Sequence, residues 1–386
     1  MSSLEIARDL MSFIDRSPTP FHAVRTATEQ LGLAGFSALD ERSSFELAPG
    51  DKRFVVRGGS TVCAFVVGEE APEVAGFRMI GAHTASPNLR LKPRPETHKS
   101  GYRQIAVEPY GGLIQATWMD RDLGFAGRVS LRSAAGVTTR IYDMGQEIVR
   151  IPNLAIHLNR GVNKDGLQLN EQKHLAPISG MVAPGADDER RLLTLLAREL
   201  GASLSAILGF DLMLPDRQPS SLAGFDDEFI CAPRLDNLAS CHAALAALIR
   251  SMERATPHTR LIVLYDHEEC GSKSAVGAQG TFLKDVLRRV VLSRSAARDA
   301  FERAMAQSFL VSADMAHALH PNYADQHEPD HKPEIGKGLV IKTNANQSYA
   351  TSGETAAIFS AACLEAGYAP QQFVVRSDLP CGSTIG

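Results

Sequence analysis

The spacing of apolar residues switches between helix-like and strand-like along the chain, which predicts an α/β fold. Near the amino terminus, helical spacing predicts a helix over residues 3–15 and a second over residues 21–31, ended by Gly32. Short apolar runs predict strands at residues 53–57, 61–67, 77–81, 229–231, 261–265, 309–312, 338–342 and 372–375. Later helices are predicted at residues 238–254, 282–289, 296–307 and 354–365.

The middle of the chain has a different pattern. Strand-like stretches at residues 104–107, 113–117, 127–132 and 138–142 lie among glycines and turn residues, and the first clear helix comes at residues 188–200. Residues 215–221 (PDRQPSS) have the composition of a linker. The sequence therefore predicts an α/β domain in two parts, residues 1–92 and 229–386, with a β-rich domain inserted at residues 93–228.

Length and composition agree with this organisation and exclude some functions. A chain of 386 residues exceeds what one core usually holds, so two domains or one large insertion are expected. A net charge of -4 gives no electrostatic case for nucleic-acid binding. The amino terminus does not read as a signal peptide, and no apolar stretch is long enough to span a membrane. Six scattered cysteines without a CxxC pair predict reduced thiols in a cytoplasmic protein.

The strand predicted at residues 261–265 is uninterrupted by polar residues, as in a strand buried on both faces of a parallel sheet. It is followed at once by Asp266, His267, Glu268 and Glu269. Ligands bind at the carboxyl ends of strands in open α/β sheets, and metal ions are the usual reason for crowding carboxylates there. The alternative is a solvated loop of charges.

Three further strand ends carry a residue that could bind a metal. His83 follows one strand, although a lone histidine in that place is more often structural. Asp236 lies at a strand-to-helix turn, where helix capping is the common alternative. Asp314 follows another strand. His157, inside the apolar segment IPNLAIHLNR, reads by itself as a core or interface histidine.

Together these strand ends predict a metallohydrolase with two metal ions. Mixed imidazole and carboxylate ligands suit zinc or manganese, with zinc the default in a cytoplasmic hydrolase. Of two adjacent glutamates, one can bind metal while the other serves as general base. The metals would polarise a carbonyl and lower the pKa of water to roughly 7. This reasoning does not identify a substrate.

The chain also resembles the M18 metallopeptidases, the aspartyl aminopeptidase family, over essentially its whole length. The motifs that carry the resemblance are SPTPFHA, GAHTASP, MDRDL, IPNLAIHLNR, DEFICAPRLDNL, DHEECGS, SADMAHALHPNY, KTNANQSYAT and CGSTIG. The resemblance implies a phosphorylase/hydrolase-like catalytic domain with an inserted β-rich dimerisation domain, assembled into a tetrahedral dodecamer. It also implies two zinc ions per subunit and the release of amino-terminal Asp or Glu from peptides.

The same resemblance assigns roles to the candidate metal ligands. It places His83 and Asp314 on one zinc, Asp236 as the bridge between the two, and Glu269 on the second zinc. Glu268 matches the general base.

The resemblance also assigns substrate contacts. Lys342 and Tyr349 match the positions that handle the acidic side chain and the bound substrate. His157 matches a histidine that reaches into the neighbouring subunit's active site.

Two departures from the family pattern bear on activity. Ala85 stands where the family has an aspartate that orients the metal-binding His83, and losing such a partner typically costs about 10–100-fold in affinity or activity. The family continues past the position of Gly386 into a segment whose histidine binds the second zinc. We therefore expect weak binding of the second metal and poor hydrolysis. The alternative function is a catalytically impaired paralogue that acts as a shell subunit or a peptide-binding module.

Overall fold

The computed structural model describes residues 2–145, 148–182 and 190–382, which fall into two compact units, Met1–Leu310 and Val311–Gly386. The helices of the first unit are α1 (Ser3–Asp15), α2 (Pro20–Leu33), α3 (Pro72–Ala75), α4 (Val162–Asp165), α5 (Glu171–His174), α6 (Arg191–Glu199), α7 (Leu235–Ser251), α8 (Phe282–Arg294) and α9 (Ala300–Ala306). Its strands are β1 (Ser37–Ala38), β2 (Lys52–Arg57), β3 (Thr61–Val66), β4 (Phe77–His83), β5 (Asn88–Lys99), β6 (Tyr102–Tyr110), β7 (Ala126–Ser133), β8 (Gly136–Asp143), β9 (Ile178–Met181), β10 (Ile207–Met213), β11 (Ser221–Ala223), β12 (Phe229–Cys231) and β13 (Thr259–Tyr265). In β14 (Phe309–Ser312) the chain passes from the first unit to the second.

The first sheet contains the strand that precedes the acidic turn. Its strand order is β1-β2-β3-β13-β4-β14. Strand β13 runs parallel to β4 and antiparallel to β3, so the sheet is mixed. Every residue of β3 is buried, and β13 is buried except at Arg260. Helix α7 packs against β4 and β13, and α2 packs against β3 and α7. Burial of consecutive residues of β13 explains its uninterrupted apolar sequence, because a strand covered on both faces has no polar side.

The second sheet is antiparallel, with the order β8-β7-β10-β5-β6-β9. One face covers an apolar core built by Leu89, Leu123, Phe125, Val129 and Leu196, all fully or almost fully buried. The outer strand β8 is exposed along nearly its whole length. A small antiparallel hairpin of β11 and β12 then leads the chain to α7.

The second unit contains β15 (Val340–Lys342), α10 (Gly353–Glu365) and β16 (Gln371–Phe373). Strands β15 and β16 pair in parallel. The side chain of Ser352 accepts a hydrogen bond from the Thr355 N–H, and the Thr355 side chain bonds back to the Ser352 N–H, so α10 begins with a capping box.

Most predicted elements are present with boundaries shifted by a few residues. The strand predicted at residues 113–117 is wrong: residues Gln115–Trp118 form a short 3-10 helix after a turn. The long strand β5 and the strand β10 were not predicted, because β5 carries prolines and β10 carries a glycine. The helix predicted at residues 188–200 is observed as α6; its first two predicted residues lie outside the described ranges. The three-part domain division stays a prediction.

Two expectations from composition can also be compared with the structure. All six cysteines are free thiols, as predicted. No helix in the described part of the chain is both long enough and apolar enough to cross a membrane.

We predict that the core of the second sheet contributes strongly to stability. Leu123→Ala removes a fully buried side chain and should lower the free energy of unfolding by about 2–5 kcal/mol. Leu33→Ala is the control, because that side chain is 91% exposed and its loss should change stability by less than about 0.5 kcal/mol. Denaturant unfolding of both variants measures the difference. Equal losses of unfolding free energy in the two variants would show that the packing of Leu123 does not contribute to stability.

Candidate metal centre

The parallel pairing of β4 and β13 places two candidate residues side by side. His83 is the last residue of β4 and pairs in register with Tyr265, the last residue of β13. The Thr84 N–H donates to the Tyr265 carbonyl at 2.6 Å, which holds the two strand ends together. The acidic sequence after Tyr265 therefore begins directly beside His83.

The turn after β13 has a defined internal structure. Asp266 is almost fully buried, and its carboxylate accepts the His267 backbone N–H at 2.7 Å. His267 adopts a left-handed conformation and contacts Ser274 Oγ through Nδ1 at 2.7 Å. A short 3-10 helix, Glu268–Cys270, follows. Asp266 and His267 thus shape the turn, while the two glutamates after them face His83.

His83 is buried and its ring orientation is fixed by the backbone. Its Nδ1 lies 2.9 Å from the Ala85 carbonyl oxygen. A carbonyl only accepts hydrogen bonds, so Nδ1 is the donor, which leaves Nε2 as the ring nitrogen that could bind a metal. The expectation that the ring loses its orienting partner at Ala85 is wrong. The backbone of the same residue supplies the acceptor.

Three carboxylates approach the Nε2 atom of His83. It lies 3.5 Å from Asp236 Oδ1 and 3.7 Å from Glu268 Oε2. One ligand atom each from His83, Glu268 and Glu269 lie within 4.8 Å of one another. An imidazole lone pair among carboxylates is the donor set of zinc sites, and a bound cation would offset the repulsion between these charges. The residues present therefore fit a zinc ion.

Asp236 reaches this cluster from the start of α7. The residue before Leu235, Arg234, is left-handed, and Asp236 itself has non-helical dihedrals (φ -83°, ψ 109°). The peptide bond between Asp236 and Asn237 is cis. Arg234 occupies the cap position, so the helix-capping interpretation of Asp236 is wrong.

Ser86 links the His83 segment to the Asp236 segment. Its hydroxyl donates to the Asp236 backbone carbonyl at 2.8 Å. The buried thiol of Cys241, on the first turns of α7, donates to the His83 carbonyl at 3.0 Å. Burial, reinforced by the charge of Asp236, raises the pKa of that thiol, which keeps it protonated as a donor. Sequence reasoning missed both residues; the only signal for Ser86 was its place in the GAHTASP motif.

The second unit contains three other candidates, which contact one another. Lys342 Nζ donates to Asp314 Oδ2 at 3.3 Å and to the Met315 carbonyl at 2.8 Å. The same ammonium lies 5.7 Å from the centre of the Tyr349 ring. Burial and a hydrogen bond with Cys381 raise the pKa of Tyr349, so its hydroxyl stays protonated.

His157 is a residue of the first unit. It belongs to a short 3-10 helix, Ile156–Leu158, and is exposed, so the interpretation as a core histidine is wrong. Its apolar neighbours Leu154, Ile156 and Leu158 are between 50% and 75% exposed. An interface role for His157 stays a prediction.

Comparisons with known proteins agree on one family. The model of a family described as Aminopeptidase I zinc metalloprotease (M18) matches residues 13–386. A probable M18 family aminopeptidase 2 of Pseudomonas aeruginosa is 45% identical over 384 residues, covering 99% of this chain and 88% of the relative. The cryo-EM structure of the Ape4 and Nbr1 complex matches with a TM-score of 0.94 at 39% identity, over 99% of this chain and 77% of that one. The S. cerevisiae mApe1 dodecamer matches with a TM-score of 0.84 at 28% identity, over 96% and 85% of the two chains.

We predict that Ala85→Asp changes zinc affinity by less than tenfold. The Ala85 carbonyl already orients His83, so a carboxylate at this fully buried position adds no missing function. Chelator competition on purified protein measures the affinity. His83→Ala is the control and should lose far more, because it removes a ligand. A gain of about 10–100-fold on restoring the aspartate would contradict the prediction.

Proposed function

This chain belongs to the M18 family of zinc aminopeptidases, and we propose that it uses two zinc ions to release amino-terminal aspartate or glutamate from peptides. The observation that carries the proposal is the cluster of His83, Asp236, Glu268 and Glu269 at the ends of two parallel strands and the start of α7. These elements come from distant parts of the chain. Their convergence on one imidazole favours a metal centre over a solvated loop.

In this proposal the side chains of the cluster divide the binding of two metals. His83 and Asp314 would hold the first zinc, Glu269 would hold the second, and Asp236 would contribute to both. When bound, zinc polarises the scissile carbonyl and lowers the pKa of a water molecule. Asp314 is included because of the family resemblance and because it lies two residues past the end of β14.

Glu268 is the proposed general base. Its side chain is 15% exposed, so it can reach a water molecule while the surrounding protein limits competing solvent. It would take a proton from the attacking water and pass it to the leaving amine, which is the usual task of a carboxylate in hydrolysis. Glu269, the next residue of the same 3-10 turn, is left to bind metal.

Lys342 is the proposed selector for acidic substrates. An ammonium group has three N–H donors, and two are directed at Asp314 and the Met315 carbonyl. We assign the third to the carboxylate of an amino-terminal Asp or Glu. The Tyr349 ring beside the ammonium, with its protonated hydroxyl, would contact the same substrate.

The proposal extends to assembly and location. We propose a homo-oligomer built from dimers, up to a dodecamer, in which His157 approaches the active site of a neighbouring subunit. Its exposure among apolar residues supports burial against a second copy. The mApe1 neighbour is described as a dodecamer. A cytoplasmic location is supported by six free cysteines.

The alternative is an impaired paralogue that binds peptides or serves as a shell subunit. Ala85 in place of the family aspartate favours it. The hydrogen bond from His83 to the Ala85 carbonyl weighs against it, because the ring keeps its orientation. Zinc-loaded protein that binds acidic peptides without turnover would support this alternative.

We predict opposite effects for two carboxylate substitutions. Glu268→Gln should keep zinc and lower kcat on an aspartyl substrate by about 100-fold or more, because only the base is lost. Asp236→Asn should lose both zinc ions, because one carboxylate serves both. Elemental analysis and turnover measure the two properties. Loss of zinc in Glu268→Gln would show that the two glutamates have exchanged roles, and full zinc in Asp236→Asn would exclude the bridge.

We also predict that Lys342→Ala selectively weakens hydrolysis of acidic substrates. Removing a charge partner of a bound carboxylate costs about 2–5 kcal/mol. The ratio of kcat/KM for an aspartyl substrate to that for an alanyl substrate should therefore fall at least tenfold. Lys337→Ala, at an exposed position, is the matched control and should leave the ratio unchanged. An equal fall for both substrates in Lys342→Ala would assign the lysine to structure.

A further inference from the structure

The hairpin of β5 and β6 begins and ends at the metal centre. Strand β5 starts at Asn88, shortly after His83, and Asn88 pairs in register with Tyr110, the last residue of β6. The next residue, Gly111, therefore returns to the place where β5 began. There it meets the turn that carries the two glutamates.

Gly111 touches Glu269 through its backbone. A Cβ atom at position 111 would lie 2.8 Å from the Glu269 Cβ and 3.4 Å from both its carbonyl oxygen and its Oε2. The first distance is shorter than real contacts allow, and the Glu269 Cβ cannot swing away as a side-chain tip could. Gly111 also has a φ of 73°, which L residues rarely adopt. Two independent constraints thus require glycine here.

The residue before Gly111 is firmly anchored. Tyr110 is 7% exposed, and the Arg90 guanidinium stacks 3.7 Å from the centre of its ring. Tyr110 also lies beside His267, with the ring centres 6.1 Å apart. Because Tyr110 is anchored, movement of β6 could not make room for a larger side chain at position 111. The displacement would fall on Glu269.

We propose that Gly111 is a positioning residue, whose bare backbone forms the surface against which Glu269 packs and so sets the location of the Glu269 carboxylate. The second sheet then contributes directly to the metal centre. The packing of Gly111 against Glu269 is observed in the structure. Its effect on zinc binding rests on the proposed function. The contact with Glu269 and the φ of 73° both favour glycine at this position.

Three alanine variants separate contact from backbone strain. Gly111→Ala introduces both the close contact with Glu269 and the backbone strain. Gly101→Ala introduces a comparable strain, with a φ of 82° and nothing within 4 Å. Gly112→Ala, the immediate neighbour, has nothing within 4 Å and a φ outside the left-handed region. Gly111→Ala should bind the more weakly held zinc at least tenfold less tightly than wild type in chelator competition, and the two controls should stay within twofold.

The deciding measurement is the position of the Glu269 carboxylate in metal-free crystal structures of Gly111→Ala and Gly112→Ala. A displaced carboxylate in the first variant alone confirms the proposal. An unmoved carboxylate overturns it, whatever the zinc affinity. A displaced carboxylate with unchanged zinc affinity keeps the positioning role of Gly111 and instead contradicts Glu269 as a zinc ligand.

A second pair of variants tests the proposal if Gly111→Ala does not fold. Asparagine tolerates positive φ better than alanine, so Gly111→Asn retains the contact with less strain, and Gly101→Asn is its control. Both are measured by the same two assays. If Gly111→Asn also fails to fold while Gly101→Asn folds, Gly111 serves the fold and the positioning role is overturned.

Discussion

The parallel pairing of β4 with β13 is the constraint on which the candidate centre depends. In register, it brings His83 beside Tyr265, so the polar residues that follow each strand must meet. The hydrogen bond from Thr84 to the Tyr265 carbonyl fixes that meeting point. Because β13 is buried except at Arg260, the two glutamates that follow it lie past the strand end, where they are only partly buried.

Other segments of the chain support the place where the residues after β4 and β13 meet, through contacts that involve backbone atoms. Ser86 donates to the Asp236 carbonyl, Cys241 donates to the His83 carbonyl, and Gly111 packs on Glu269. Each contact joins segments that are far apart in sequence. Precise placement of metal ligands generally requires such supporting contacts, because side chains held only by rotamer preference are too loose. The second sheet is therefore part of the centre as well as a packing unit.

A cluster of carboxylates around one imidazole is costly in the absence of a cation. Like charges at close range oppose folding, and partial burial of Glu268 increases the penalty. Binding of zinc to the native state would offset this penalty and stabilise the fold by mass action. In the proposed function the arrangement gives up stability for metal binding, as active sites commonly do. The left-handed Arg234 and His267, which flank the ligand segments, belong to the same pattern of local strain.

The sequence alone determined most element types, the acidic strand ends and, through its motifs, the family. Apolar periodicity and strand-end residues such as His83 and Glu268 are local signals, so they can be read without coordinates. The sequence could not show that the Ala85 backbone replaces an absent side chain, that Asp236 is non-helical, or that His157 is exposed. These properties depend on contacts between residues distant in the chain, and only the tertiary structure decided them. Gly111 is the clearest case, because turn propensity accounts for a glycine after β6, whereas its contact with Glu269 arises only when two sheets fold against one turn.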